Sequence, residues 1–141
     1  MIVPLPKRRG WKDALAPSLD EFAALAEAAL AGLPDQFREL AGEVEMWVME
    51  FAEDEVLKEL QIEDPFELTG LYQGSDLTRR SSLDPAPMPS MLFLYRRPIL
   101  DEWCERGDVT LGELIGHVLV HEIGHHFGLS DEDIERIEQG N

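Results

Sequence analysis

The chain is poor in cysteine: Cys104 is the only one among 141 residues. A single thiol excludes an internal disulfide and any metal site built from cysteines alone. Basic residues are also few, 12 against 29 acidic ones, which gives a formal net charge of −17. That balance argues against nucleic acid or anionic membrane as the main partner, because both are polyanions. No apolar run approaches the roughly 18 residues that a membrane-spanning helix needs. The stretch Met1–Arg9 puts its charge after its apolar residues, the reverse of a secretory signal. The expectation is a cytoplasmic protein with neither nucleic acid nor membrane as a partner.

What is present suits a globular domain. Hydrophobic residues make up 44% of the sequence, and a chain of this length buries roughly two thirds of its unfolded surface. The charge is unevenly spread. Lys7, Arg8, Arg9 and Lys12 share residues 1–17 with three prolines, so this stretch reads as a flexible basic arm. Residues 18–141 read as a single domain. Acidic side chains crowd residues 20–67, where Arg38 and Lys58 are the only basic ones. This is a solvated acidic surface, or a dock for a basic protein partner.

Local signals give the elements. Ser18-Leu-Asp-Glu21 is a capping box, with Phe22, Leu25, Ala26 and Ala29 at helical spacing behind it, and predicts a helix over 19–31. Pro34 starts a short helix to about Ala41, stopped by Gly42. Glu43–Phe51 alternates as a strand, with Val44, Met46 and Val48 on one face and Trp47, Met49 and Phe51 on the other. Residues 53–61 suit a short amphipathic helix. Phe66–Gly74 reads as a second strand with a glycine bend at each end of its core, 75–90 as a proline-rich loop and Ser90–Arg96 as a third strand. A helix over Ile99–Arg106, following Pro98 and closed at Gly107, places Cys104 in a core. The sum is an α+β domain.

Thr110–Gly128 is the most distinctive segment. Leu111, Leu114, Ile115, Val118, Leu119, Val120, Ile123 and Phe127 lie on nearly every side of one helix, which therefore belongs at the centre of the fold. Gly112, Gly116 and Gly124 each cost about 1 kcal/mol there. Close approach of another backbone along that ridge would offset the cost.

His121, Glu122 and His125 sit in this helix. Residues at i and i+4 share a face, so both imidazoles can reach one ion at about 2.0–2.1 Å, the zinc–nitrogen distance. Glu122 lies about 100° round the helix from His121, beside the ion and not bound to it, where a base acting on the ion's water belongs. Gly128 ends the helix and turns the chain, so Asp131 is placed to return as a third ligand. Glu132, Asp133 and Glu135 are its rivals, and Asp131 also suits the N-cap of a last helix over Asp131–Gln139. His126 reads as a surface or supporting residue and His117 as a partly buried spacer.

The string His-Glu-x-x-His-x-x-Gly-x-x-Asp within Val120–Asp131, together with Phe66–Gly74 and Phe93–Ile99, resembles the small bacterial zincin-like metallopeptidase family. Members are short acidic proteins of unassigned substrate. The resemblance implies a minimal zincin-like fold, with a small mixed sheet, a central active-site helix and a short C-terminal helix. It implies Zn2+ as cofactor, His121 and His125 as ligands, and Glu122 as the catalytic glutamate. Asp131 falls where related zincins place a His or Asp ligand. The implied activity is hydrolysis of a peptide or protein substrate. For that chemistry Tyr72 and Tyr95, the only tyrosines, are the candidate oxyanion donors, and Ser90–Arg96 is the candidate edge strand to align an extended substrate. The rival reading is a weak or inactive metal-binding module that acts through a protein partner. Three protein ligands plus a water favour the enzyme, and a closed four-ligand shell favours the module.

Overall fold

A computed structural model describes residues 11–73 and 90–139. The proline-rich stretch 75–89 and the basic cluster Lys7–Arg9 lie outside the described residues. The first helix, α1 (Leu19–Ala31), starts as its capping box predicts: Ser18 Oγ accepts from the Glu21 amide at 3.1 Å, and Glu21 accepts from the Ser18 amide at 3.2 Å. Helix α2 (Asp35–Ala41) stops at Gly42, whose φ of +58° suits glycine. Strand β1 (Val44–Met49) and helix α3 (Asp54–Glu59) follow.

Strand β2 is shorter than its sequence suggests and covers only Gly70–Gln73. Pro65–Glu67 forms a 3-10 turn instead, with the Asp64 side chain accepting from the Phe66 amide at 3.0 Å. Asp before Pro is an N-cap followed by a residue with no N–H to lose, and this local bonding outcompetes the strand pattern. Strand β3 (Ser90–Tyr95) runs straight into helix α4 (Arg96–Arg106). That helix begins three residues before Ile99 because Pro98 falls in its first turn, where a missing N–H is harmless. It closes at Gly107 with φ +72°.

The three strands form one mixed sheet in the order β1-β3-β2. β1 is parallel to β3, with Trp47 opposite Phe93, and β2 is antiparallel to it, with Tyr72 opposite Leu92. β3 is therefore the central strand, its hydrogen bonds already taken on both sides. The expectation that Ser90–Arg96 is an edge strand is corrected by this order. The described edges are β1 and β2.

Helix α5 (Leu111–His126) lies on one face of the sheet. Leu114, Ile115, Val118, Leu119, Val120 and Ile123 are buried on it, among Phe22 and Ala26 of α1, Phe37 of α2, Leu92 and Leu94 of β3, Ile99 of α4 and Ile134 of α6 (Asp131–Glu138). Each such side chain contributes about 1.5–3 kcal/mol when fully buried. That outweighs the glycine cost without any backbone contact. Gly112 and Gly116 have no neighbour within 4 Å of a would-be β-carbon, so the expected close ridge is absent and nothing in the structure requires glycine at either position. The other face of the sheet carries a smaller cluster of Ala52, Leu57 and Tyr95 with Met49, Leu71 and Phe93.

Cys104 is exposed, contrary to the expected core position. Trp103 turns inward in its place and its indole N–H donates to Val109 O at 2.9 Å. Near the N-terminus Trp11–Asp13 is a 3-10 turn with no buried residue, and the Pro17 carbonyl accepts from Arg96 Nε at 2.6 Å. No helix among the described residues is long and apolar enough to cross a membrane.

Candidate metal centre

Thr110 caps the start of α5, its hydroxyl accepting from the Glu113 amide at 3.1 Å. Sixteen helical residues then carry His121, Glu122 and His125 to the far end. The helix ends as its glycine predicts. Gly128 takes φ +84°, and the Leu129 amide donates back to Gly124 O at 2.9 Å. This left-handed exit reverses the chain and lays α6 alongside α5.

The first turn of α6 decides which acid faces the histidines. Ser130 is its N-cap: its hydroxyl accepts from the Asp133 amide at 3.1 Å, and its own amide donates to Asp133 Oδ2 at 3.2 Å. These backbone and side-chain bonds to Ser130 hold the Asp133 carboxyl below its ordinary range. Asp133 is therefore occupied, and Asp131, relieved of capping, is free to turn toward α5. Asp131 Oδ1 lies 2.7 Å from His125 Nε2 and 3.7 Å from His121 Nδ1. Glu132 and Glu135 join no metal-competent group among the described residues.

The fit of an ion to His121, His125 and Asp131 rests on three observations. Their donor atoms all lie within 4.8 Å of one another. Ligands of a tetrahedral zinc at 2.0–2.2 Å stand about 3.4 Å apart, a separation that the 2.7 and 3.7 Å distances bracket. The three residues also offer two imidazoles and a carboxylate, a donor set that suits zinc. Burial, and secondarily the neighbouring His117, lowers the His121 pKa. The ring is thus kept neutral, the form that binds metal.

Glu122 is not part of that group of donors. It lies against β2, where a β-carbon on Gly70 would sit 2.9 Å from Val118 Cγ1 and 3.3 Å from Glu122 Cγ. Gly70 is thus a contact point between strand and helix, and not the bend that the sequence suggests. Burial pushes the Glu122 carboxyl up from 4.5 to about 7, opposed by His125. A base that titrates near neutrality can both take and return a proton.

Tyr72 and Tyr95 part company. Tyr72 projects from β2 into the main core, its ring 4.3 Å from that of His126 and 5.8 Å from that of Phe127, and its hydroxyl is buried without a partner. Tyr95 belongs to the smaller cluster on the opposite face, and burial, with the nearby Glu122 and Glu53 carboxylates, raises its phenol to about 12. Two relationships escaped the sequence reading. Gly70 makes room for Glu122, and His117 pairs with Glu138, at 3.6 Å between Nδ1 and Oε2. The spacing His117-His121-His125 was visible as a ladder of i, i+4 steps, but the element facing it was not.

Residues 41–141 match the zincin-like metallopeptidase family. The chain belongs to that family. The match takes in the whole sheet, α3 to α6, and His121, Glu122, His125 and Asp131 together. No curated protein matches the chain. Helix α1 lies outside the matched stretch, yet Phe22 and Ala26 complete the core of this zincin-like chain around α5.

Proposed function

We propose that this zincin-like chain is a zinc-dependent peptidase in which His121, His125 and Asp131 hold the ion and Glu122 is the general base. The observation that carries the reading is the convergence of two imidazoles one helical turn apart with an aspartate that the next helix returns to them, at 2.7 and 3.7 Å. A zinc ion held by these three residues would supply a water whose pKa is lowered toward 7 and a Lewis acid for a carbonyl. Glu122 takes up the proton released as the nucleophile attacks the peptide carbonyl, and passes it to the leaving amine. The raised affinity of Glu122 for a proton suits both steps. Partial burial favours the neutral form of His121, and Asp131 brings a carboxylate to the two imidazoles. An extended peptide is aligned by the edge strand β2, whose outer side has no strand neighbour among the described residues. Tyr72, on that strand, is the candidate oxyanion donor, since its hydroxyl is without a partner.

Two variants test the reading. Protein purified without an affinity tag is compared with His121→Ala for zinc content and with Glu122→Gln for hydrolysis of an unstructured peptide library. The expected outcome is zinc lost in the first, and zinc kept with cleavage abolished in the second. Equal zinc in wild type and His121→Ala removes the site. Retained cleavage in Glu122→Gln removes the base. Zinc held without cleavage by the wild type leaves a metal-binding module acting through a partner.

A further inference from the structure

His121 belongs to two groups of potential ligands. One is the set with His125 and Asp131. The other is His117, His121 and Glu138, whose donor atoms also lie within 4.8 Å of one another. The two groups form one register. α5 presents histidines at 117, 121 and 125, successive turns of a single face, and α6 presents acids at 131 and 138, two turns apart. Asp131 faces His125, and Glu138 faces His117 at 3.6 Å. The helices therefore run antiparallel, with a carboxylate at each end of the histidine row. The rings of His117 and His121 stand 4.1 Å apart, closer than the 5.5 Å between His121 and His125.

We propose that His117, His121 and Glu138 form a second position for a divalent cation, one turn along α5, which shares His121 with the first. Two imidazoles and a carboxylate are a donor set that suits zinc, cobalt and nickel. The position is open to solvent: the side chains of His117 and Glu138 are 40% and 31% exposed. Both line a cleft of about 390 Å3, together with Leu33, Val109, Glu113 and Arg106. The cation in that wall, Arg106, is already paired with Glu102 at 2.9 Å. A neutral imidazole has one free lone pair, so His121 serves one ion at a time. The two positions compete, and an ion at one draws His121 from the other.

The proposal goes beyond the peptidase reading and is tested without activity. Metal-free full-length protein is titrated with Zn2+ by calorimetry and with Co2+ by visible absorption. In His125→Asn/Asp131→Asn, the first set is reduced to His121, and one equivalent of each metal is still expected to bind. Adding Glu138→Gln or His117→Asn to that background weakens binding by at least about 10–100-fold, since a direct ligand matters no less than the supporting residues for which that loss is typical. No binding by His125→Asn/Asp131→Asn, with its circular dichroism unchanged, overturns the proposal. So does unweakened binding once His117 or Glu138 is also replaced. Wild type and His125→Asn/Asp131→Asn binding zinc equally well would support the second position and sink the first set. Tight binding by wild type alone would do the reverse.

Discussion

A β-carbon on Gly124 would lie 2.7 Å from both Cγ1 and Cδ1 of Ile134. Ile134 is fully buried, so its side chain can shift only by displacing other core groups. The glycine thus sets how near α6 comes to α5, and α6 carries Asp131. Gly124→Ala is expected to cost about 1–3 kcal/mol, the usual range for overpacking a core, and to weaken zinc binding as Asp131 is pushed outward. Gly116→Ala is the control. With nothing within 4 Å, it is expected to stabilise by about 0.5–1 kcal/mol through helix propensity alone. Denaturant unfolding and zinc titration of the two variants check both. An unchanged zinc affinity in Gly124→Ala would separate the helix contact from the metal centre.

Gly70 is the corresponding contact on the sheet side. Gly70→Ala drives a methyl group into Val118 and against Glu122, and the Phe93 carbonyl at 3.2 Å closes the third side. The expected loss is about 1–3 kcal/mol of stability. A greater fall in peptide hydrolysis than in zinc affinity is also expected, because Glu122 moves and the histidines do not. Equal falls in both would show that the strand merely supports the helix.

These two glycines mark where sequence reading stops. Helix α1 was legible because its capping box and apolar spacing are local, and the same holds for the β1 alternation and for the central place of α5. The first set of candidate ligands was legible because helical periodicity places His121 and His125 on one face and Gly128 turns the chain back. Which acid arrives there depends on Ser130 capping α6 through Asp133, and several acids within five residues made that pattern ambiguous. What a glycine is for depends on its neighbour across the fold. Gly112, Gly116 and Gly124 look alike in sequence, and one of them is spatially required. The order β1-β3-β2 is likewise a long-range fact, which is why β3 was expected at an edge. Cys104 and Trp103 are adjacent, and a rotation of about 100° decides which of them is inside.

The Arg96 guanidinium ties the N-terminal segment to the sheet. Its side chain is 12% exposed, and it donates to Pro17 O at 2.6 Å and to Glu50 Oε1 at 2.9 Å. Arg96→Met removes its bonds to Pro17 and Glu50 and leaves Glu50 with the more distant Arg97, at 3.7 Å. The expected cost is about 1.5–3 kcal/mol, the range for hydrogen bonds to a charged group. Limited proteolysis should release the residues before Ser18 faster than from wild type. Unchanged cleavage there would mean that the bond to Pro17 does not restrain the segment.

The half-buried carboxyl of Glu122 predicts a pH dependence of the metal-free protein. Its pKa rises from 4.5 to about 7 on folding, mainly through burial. Between those values the folded chain holds a proton that the unfolded chain has released. Stability from this group therefore falls as pH rises through that window, and the whole penalty is present above it. A shift of this size corresponds to at most about 3 kcal/mol, which partial solvent access reduces to about 1–2 kcal/mol. His121 contributes the opposite slope, since its folded pKa is lowered, so the wild-type curve alone does not isolate Glu122. Glu122→Gln does, because the amide keeps the shape and loses the titration. With chelator present, the two proteins should melt at similar temperatures near pH 4.5, and the variant should become the more stable by about 1–2 kcal/mol at pH 8. A difference that stays constant across that range would mean that Glu122 is solvated and not held in the apolar wall between Gly70 and Val118.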